Sequence, residues 1–131
     1  MGQEPDLPDL MVIECGMQPA RSAAMVKLMF IATKQSSLSY DEFFTYLMQV
    51  HAPLVRMLPG VQRYVFNATM PGASLTAPVC DAVEEIWFDS MAAMHDALAS
   101  AEGQIVVQDR YVFSLADTGS VVVEEMEVSA S

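Results

Sequence analysis

The segment Met25 to Thr33 (MVKLMFIAT) constrains the fold more than any other stretch of this chain. A strand with one wet face alternates apolar and polar residues, whereas this one is apolar almost throughout, so both of its faces need cover. Val121-Val122-Val123 has the same two-sided character near the other end. Any fold that fits must bury two strands from both sides.

Between these strands the chain reads as two helices and two further strands. Ser39-x-x-Glu42 is a capping box, which predicts a helix from Tyr40 to about Met57, bent or interrupted near Pro53. Pro59-Gly60 is a turn, and Val61 to Met70 is the second strand. It sets Val61, Arg63, Val65 and Asn67 against Gln62, Tyr64, Phe66 and Ala68. A Pro/Gly/Ala/Ser loop from Pro71 to Pro78 leads to the third strand, Ala82 to Asp89. Ser90 caps a second helix, Met91 to about Ala99, followed by a shorter helical piece over Glu102 to Tyr111. Val121 to Met126 is the fourth strand.

The order β-α-β-β-α-β is the ferredoxin-like α+β arrangement, one antiparallel sheet with its helices on one face. The opposite face, with residues such as Met29, Val65 and Val123, then needs a partner. Packing of two sheets face to face is the simplest cover, so a homodimer is expected.

The 131 residues suit a single domain. Residues 1–24 hold Pro5, Pro8, Pro19, Gly2 and Gly16 and read as a flexible leader. The domain spans 25–127 and a short tail spans 128–131. Hydrophobic residues make up 53% and charged residues 18%, which argues against a disordered chain. A net charge of −11, from 6 basic and 17 acidic residues, argues against nucleic acid and anionic membrane partners. The longest apolar run, Leu28 to Ala32, is far short of the roughly 20 residues of a spanning helix. Cys15 and Cys80 form no CxxC and read as unrelated thiols in a reducing cytoplasm.

On a helical wheel His51 falls on the apolar arc of Phe43, Leu47, Val50, Leu54 and Leu58, which points it into the helix–sheet layer. Two readings stand: a core histidine bonded to a backbone carbonyl, or a general acid/base in an apolar pocket. Tyr64 shares a strand face with Phe66 and projects toward the same layer, either as an ordinary strand tyrosine or as a phenol that stabilises an oxyanion. Trp87 and Phe88 lie on opposite faces of the third strand, and parity leaves open which one meets the helices. His95 is expected at the surface. With two histidines on separate elements and no GxGxxG, GKS/T, HExxH or GxSxG, neither a metal site nor a bound cofactor is expected.

Six segments, Met25-Val-Lys-Leu-Met-Phe, Asp41-Glu-Phe-Phe, Val50-His-Ala-Pro-Leu-Val, Leu58-Pro-Gly-Val-Gln-Arg-Tyr-Val, Glu85-Ile-Trp-Phe-Asp-Ser and Val122-Val-Glu-Glu, together resemble the EthD family over about residues 25–127. The resemblance implies a dimeric α+β barrel made of two ferredoxin-like sheets. Its wider superfamily includes cofactor-free monooxygenases and methylmuconolactone isomerases. In those isomerases a helix histidine and a strand tyrosine line the pocket, at places matching His51 and Tyr64; the position of their pocket cysteine is held here by Ile86. The expected lining is Phe43, Leu47 and Leu54 from the helix, Phe66 from the second strand and Ile86, Trp87 and Phe88 from the third.

The leading functional expectation is a small cofactor-independent oxidoreductase for a hydrophobic aromatic, polyketide-like or cyclic carbonyl substrate, with His51 and Tyr64 as catalytic residues. The alternatives are an isomerase or dehydratase of the muconolactone type, which consumes no oxygen, and a non-catalytic protein that binds a small hydrophobic ligand.

Overall fold

The structure, a computed structural model, describes residues 25–70, 72, 77–116 and 119–129. The expected leader 1–24, Cys15 and part of the loop from Pro71 to Pro78 lie outside the described residues. Four strands form one antiparallel sheet: β1 (Val26–Ala32), β2 (Val61–Ala68), β3 (Ala82–Phe88) and β4 (Ser120–Val123), in the order β2-β3-β1-β4. This is the ferredoxin-like α+β topology expected from the sequence. The two central strands are those flanked on both edges, which is why β1 carries the most apolar sequence.

Helix α1 covers residues 40–56. Its first turn is held by the expected box: the Ser39 amide donates to Glu42 Oε1 (2.8 Å) and the Glu42 amide to Ser39 Oγ (3.1 Å). Pro53 does not interrupt it. Instead a π-helical turn, Leu47–His51, sits directly ahead, with the Ala52 amide reaching the Leu47 carbonyl five residues back. Proline has no amide for the ladder and crowds the carbonyl four residues behind it, and a widened turn relieves both problems. The wider turn also changes which residues face the sheet. Phe43, Leu47, His51 and Val55 are fully buried, at strict four-residue spacing, while Val50, expected on the apolar arc, is exposed.

Helices α2 (Met91–Ala99) and α3 (Ala101–Phe113) follow β3. Ser90 caps the first, and Ser100 both ends α2 and caps α3 by accepting from the Gly103 amide (3.0 Å). The start of α3 lies against the end of α2 so closely that a Cβ on Gly103 would meet the Ala97 and Leu98 carbonyl oxygens at 2.3 and 2.4 Å. His95 is exposed, as expected.

The strict alternation expected for β2 holds only from Arg63 onward. A bulge between Val61 and Arg63 inserts Gln62, so Val61 joins Tyr64 on the helix side instead of sharing a face with Arg63. Facing the helices are Leu28, Phe30 and Ala32 of β1 and Ala82, Glu84, Ile86 and Phe88 of β3, all buried. The other face carries Met29, Val65 and Val123, as expected, together with Trp87. It is less uniformly apolar than the sequence suggests. Lys27 Nζ bonds Glu85 Oε2 at 2.9 Å, and the Lys27 and Arg63 cations lie 4.9 and 4.6 Å from the Trp87 ring centre. Strand β4 ends at Val123 rather than Met126. Its Val121 and Val122 are 47% and 41% exposed rather than buried, because an edge strand has a neighbour on one side only.

The core has two apolar clusters. One gathers Leu28, Phe30, Val55, Leu58, Ile86, Phe88, Met94, Ala97 and Val106; the other gathers Ala32, Phe43, Leu47, Ala82 and Phe113. Along β3, Glu84 falls between Ala82 of one and Ile86 of the other. Along α1, His51 falls between Leu47 and Val55 in the same way. The seam of the core is polar.

Candidate active site

The π-helical turn aims His51 at that seam, where the ring is wholly buried and lies 4.6 Å from the Phe113 ring centre. Its Nδ1 is 2.9 Å from Asp109 Oδ2, from α3. The other Asp109 oxygen accepts from the Tyr46 hydroxyl at 2.6 Å. A carboxylate accepts and does not donate, so His51 Nδ1 is the donor to Asp109. In the neutral imidazole Nε2 is then a bare acceptor. It points at Glu84 Oε1 across 3.6 Å, too long for a hydrogen bond, and has no bonding partner among the described residues.

Glu84 is the counterpart on the sheet, with no exposed surface. Its Oε1 accepts a short hydrogen bond from the Tyr64 hydroxyl, while Oε2 has no partner among the described residues. Burial pushes its carboxyl above the usual carboxylate range, although His51, the Tyr64 bond and the Arg110 cation each pull the other way. Burial, helped by the charge and hydrogen bond of Glu84, holds the Tyr64 phenol protonated well beyond its ordinary range. Tyr46 is pushed up to about 12 by burial and by Asp109. Arg110, mostly buried, lays its guanidinium 4.2 Å from the Phe30 ring centre.

The result is a series of polar side chains, Tyr64, Glu84, His51, Asp109 and Tyr46, running from β2 to α3 and back to α1, fully buried at Glu84 and His51 and half-buried at the other three. Two of its atoms, His51 Nε2 and Glu84 Oε2, make no hydrogen bond to the described residues, and an unsatisfied buried group of this kind costs about 1–3 kcal/mol. Its ends approach the surface. Tyr64 lines a cleft of about 320 Å³ with Arg56, Val61, Gln62 and Arg63. Tyr46 borders another, of about 420 Å³, with Leu38, Asp41, Glu42, Thr45, Gln49 and Val50.

Of the residues expected from the sequence, Tyr64 bonds Glu84 and His51 approaches the same carboxyl oxygen to 3.6 Å without a hydrogen bond. Phe43, Leu47, Ile86 and Phe88 surround this group as fully buried core. Leu54 and Phe66 are half-buried beside the two clusters. Trp87 is on the opposite face of the sheet and is not brought to the group. Sequence reasoning passed over Glu84, Asp109, Tyr46 and Arg110. Among the described residues no three His, Cys, Asp or Glu side chains are grouped to hold a metal ion, and no helix is long and apolar enough to cross a membrane.

The EthD domain family profile matches residues 35–115. A sequence search of curated proteins finds no match. Among solved structures, an EthD family protein from Bacillus halodurans C-125 superposes with a TM-score of 0.69 at 22% identity, covering 78% of this chain and 99% of that one. A protein from Thermobifida fusca YX, described as dimeric and ferredoxin-like, gives 0.61 at 14% identity, with 77% and 91% covered. SnoaB from Streptomyces nogalater, described as a cofactor-independent oxygenase, gives 0.60 at 14% identity, with 83% and 100% covered. At these identities the likeness is one of fold.

Proposed function

The chain belongs to the EthD family, and on that premise we propose that it is a small cofactor-independent oxidoreductase, working as a homodimer in the cytoplasm on a hydrophobic aromatic, polyketide-like or cyclic carbonyl substrate. The observation that carries this reading is the polar seam. A domain of about a hundred residues has little core to spare, yet this one divides its core with an imidazole and a carboxyl that each leave one polar atom without a hydrogen bond among the described residues. Buried titratable groups shifted by their surroundings, as Glu84 and Tyr64 are, concentrate where proton transfer is needed.

The substrate lies in the cleft beside Tyr64, with Val61 as its apolar neighbour. Tyr64 is the catalytic residue that meets the substrate oxygen. As the substrate hydroxyl or enol gives its proton to the Tyr64 oxygen, the phenol proton moves to Glu84 Oε1 and on to His51 Nε2, which becomes an imidazolium paired with Asp109. The phenolate or enolate left behind is electron-rich enough to react with O2. For a phenol the balance is one O2 in, one oxygen atom into the ring as a quinone carbonyl, and the other released as water. The substrate supplies all four electrons, so no reductant is required. The protein's share is deprotonation, orientation and a dry site. The oxygenase description of SnoaB, on the same fold, supports this reading.

The complete burial of His51 and Glu84 favours a second reading, in which the polar group only shapes the core and the protein binds a ligand without converting it. A thermal-shift screen with aromatic and lactone metabolites, followed by oxygen-electrode assays on the hits, separates them. Oxygen uptake matched by product supports the oxidoreductase. Conversion without uptake supports an isomerase or dehydratase, and a raised melt without conversion supports the binding protein.

A further inference from the structure

The basic residues are few, and their placement is uneven. Five lie among the described residues. Lys27 pairs with Glu85, Lys34 Nζ donates to the Leu38 carbonyl at 2.7 Å, and Arg110 is interior. The remaining two, Arg56 and Arg63, line the same cleft as Tyr64. Arg63 rests on the Trp87 ring, which holds its guanidinium in place, and its charge is partly offset by Glu85. Arg56 is exposed at the end of α1 and meets no acidic partner among the described residues.

A chain of net charge −11 repels small anions over most of its surface. Two guanidiniums gathered at one cleft make a local exception. A guanidinium recognises a carboxylate through paired, charge-assisted hydrogen bonds, a geometry that a neutral ester does not return. The floor of the cleft supplies an aromatic ring and a valine, Tyr64 and Val61, and its volume of about 320 Å³ suits a one- or two-ring molecule.

We infer that this cleft binds an aromatic organic anion, a carboxylate beside a phenol or enol, with Arg56 as the anchor for the charge and Arg63 in support. This deepens the proposed function and rests on its placing the substrate beside Tyr64. The anion is held at the arginines and the adjacent hydroxyl is turned toward Tyr64, which fixes the orientation that deprotonation requires.

The test uses the full chain and two probes, 1-hydroxy-2-naphthoate and its methyl ester, with binding measured by calorimetry at low and high salt. The acid should bind more tightly than the ester, and its affinity should fall with salt while that of the ester holds. Arg56→Gln should weaken the acid about tenfold and leave the ester unchanged, and Arg56→Lys should recover part of the loss. An ester that binds as tightly as the acid, an Arg56→Gln variant with unchanged affinity for the acid, or no binding of either probe overturns the inference. Turnover is not read in this assay. A protein that binds the acid as described but converts nothing contradicts the enzyme and leaves the anion site standing; oxygen-consuming turnover of neutral substrates alone does the reverse.

Discussion

At the scale of single residues, Glu84 shows most clearly what the polar seam does to the fold. Its folded-state carboxyl holds a proton above the usual range because it is buried, against opposition from His51, Tyr64 and Arg110. Between the ordinary carboxylate value and that raised value, the folded protein keeps a proton that the unfolded chain has released. Stability therefore falls as pH rises through this window. Glu84→Gln keeps the shape and removes the titration. Chemical unfolding at pH 5 and at pH 7.5 should show the variant gaining on the wild type as pH rises, with a slope of at most about 1.4 kcal/mol per pH unit inside the window; a difference that does not change with pH would contradict this. The inward aim of His51 was legible from its helical arc. Its partners were not, since Asp109 is 58 residues away in sequence and Glu84 is reached only through the tertiary fold. One signal for Glu84 was present: adjacent Glu84 and Glu85 on a strand between apolar residues must send one carboxyl to each face.

Elements were legible where the signal is local. The Ser39–Glu42 box, the Ser90 cap and the apolar run of β1 each set an element within its own sequence. Two irregularities were less visible. The π-helical turn in α1 shows itself only as buried residues at 43, 47, 51 and 55, a spacing of four that a regular helix of 3.6 residues per turn cannot keep on one face. The β2 bulge leaves no trace in a pattern where Val61 suits either face. Both bear on the site, because the first turns His51 inward in place of Val50 and the second brings Val61 and Tyr64 to the same side. The junction of α2 and α3 makes a further prediction. Gly103 sits where no Cβ fits against the Ala97 and Leu98 carbonyls, and these are backbone atoms that cannot swing away. Gly103→Ala should lower the unfolding free energy in urea by about 2 kcal/mol, despite the better helix propensity of alanine. A variant as stable as the wild type would mean that the two helices do not meet this closely.

For the molecule as a whole, the question is what covers the face of the sheet turned away from the helices. Met29, Val65, Val121 and Val123 lie there around the Lys27–Glu85 ion pair, a mixture that suits a partner surface matching both apolar and charged groups. Light scattering at micromolar concentration should give the mass of a dimer, and Met29→Glu should shift it toward the monomer; a wild-type monomer would contradict the pairing. The fold order was readable in the sequence because each strand is set off by its own apolar run and local turn or cap signals, even where its burial was misjudged, as in β4. The site was readable only in half, because its chemistry depends on groups from β2, β3, α1 and α3 that meet after folding. Whether that meeting serves catalysis or merely packing is decided most directly by comparing His51→Gln with the wild type in the oxygen electrode on a converted substrate, with the melting temperature of each recorded. A catalytic seam predicts a fall in turnover of about a hundredfold or more with the melt displaced by only a few degrees. Turnover that survives the substitution, or that disappears only together with the folded state, would contradict it.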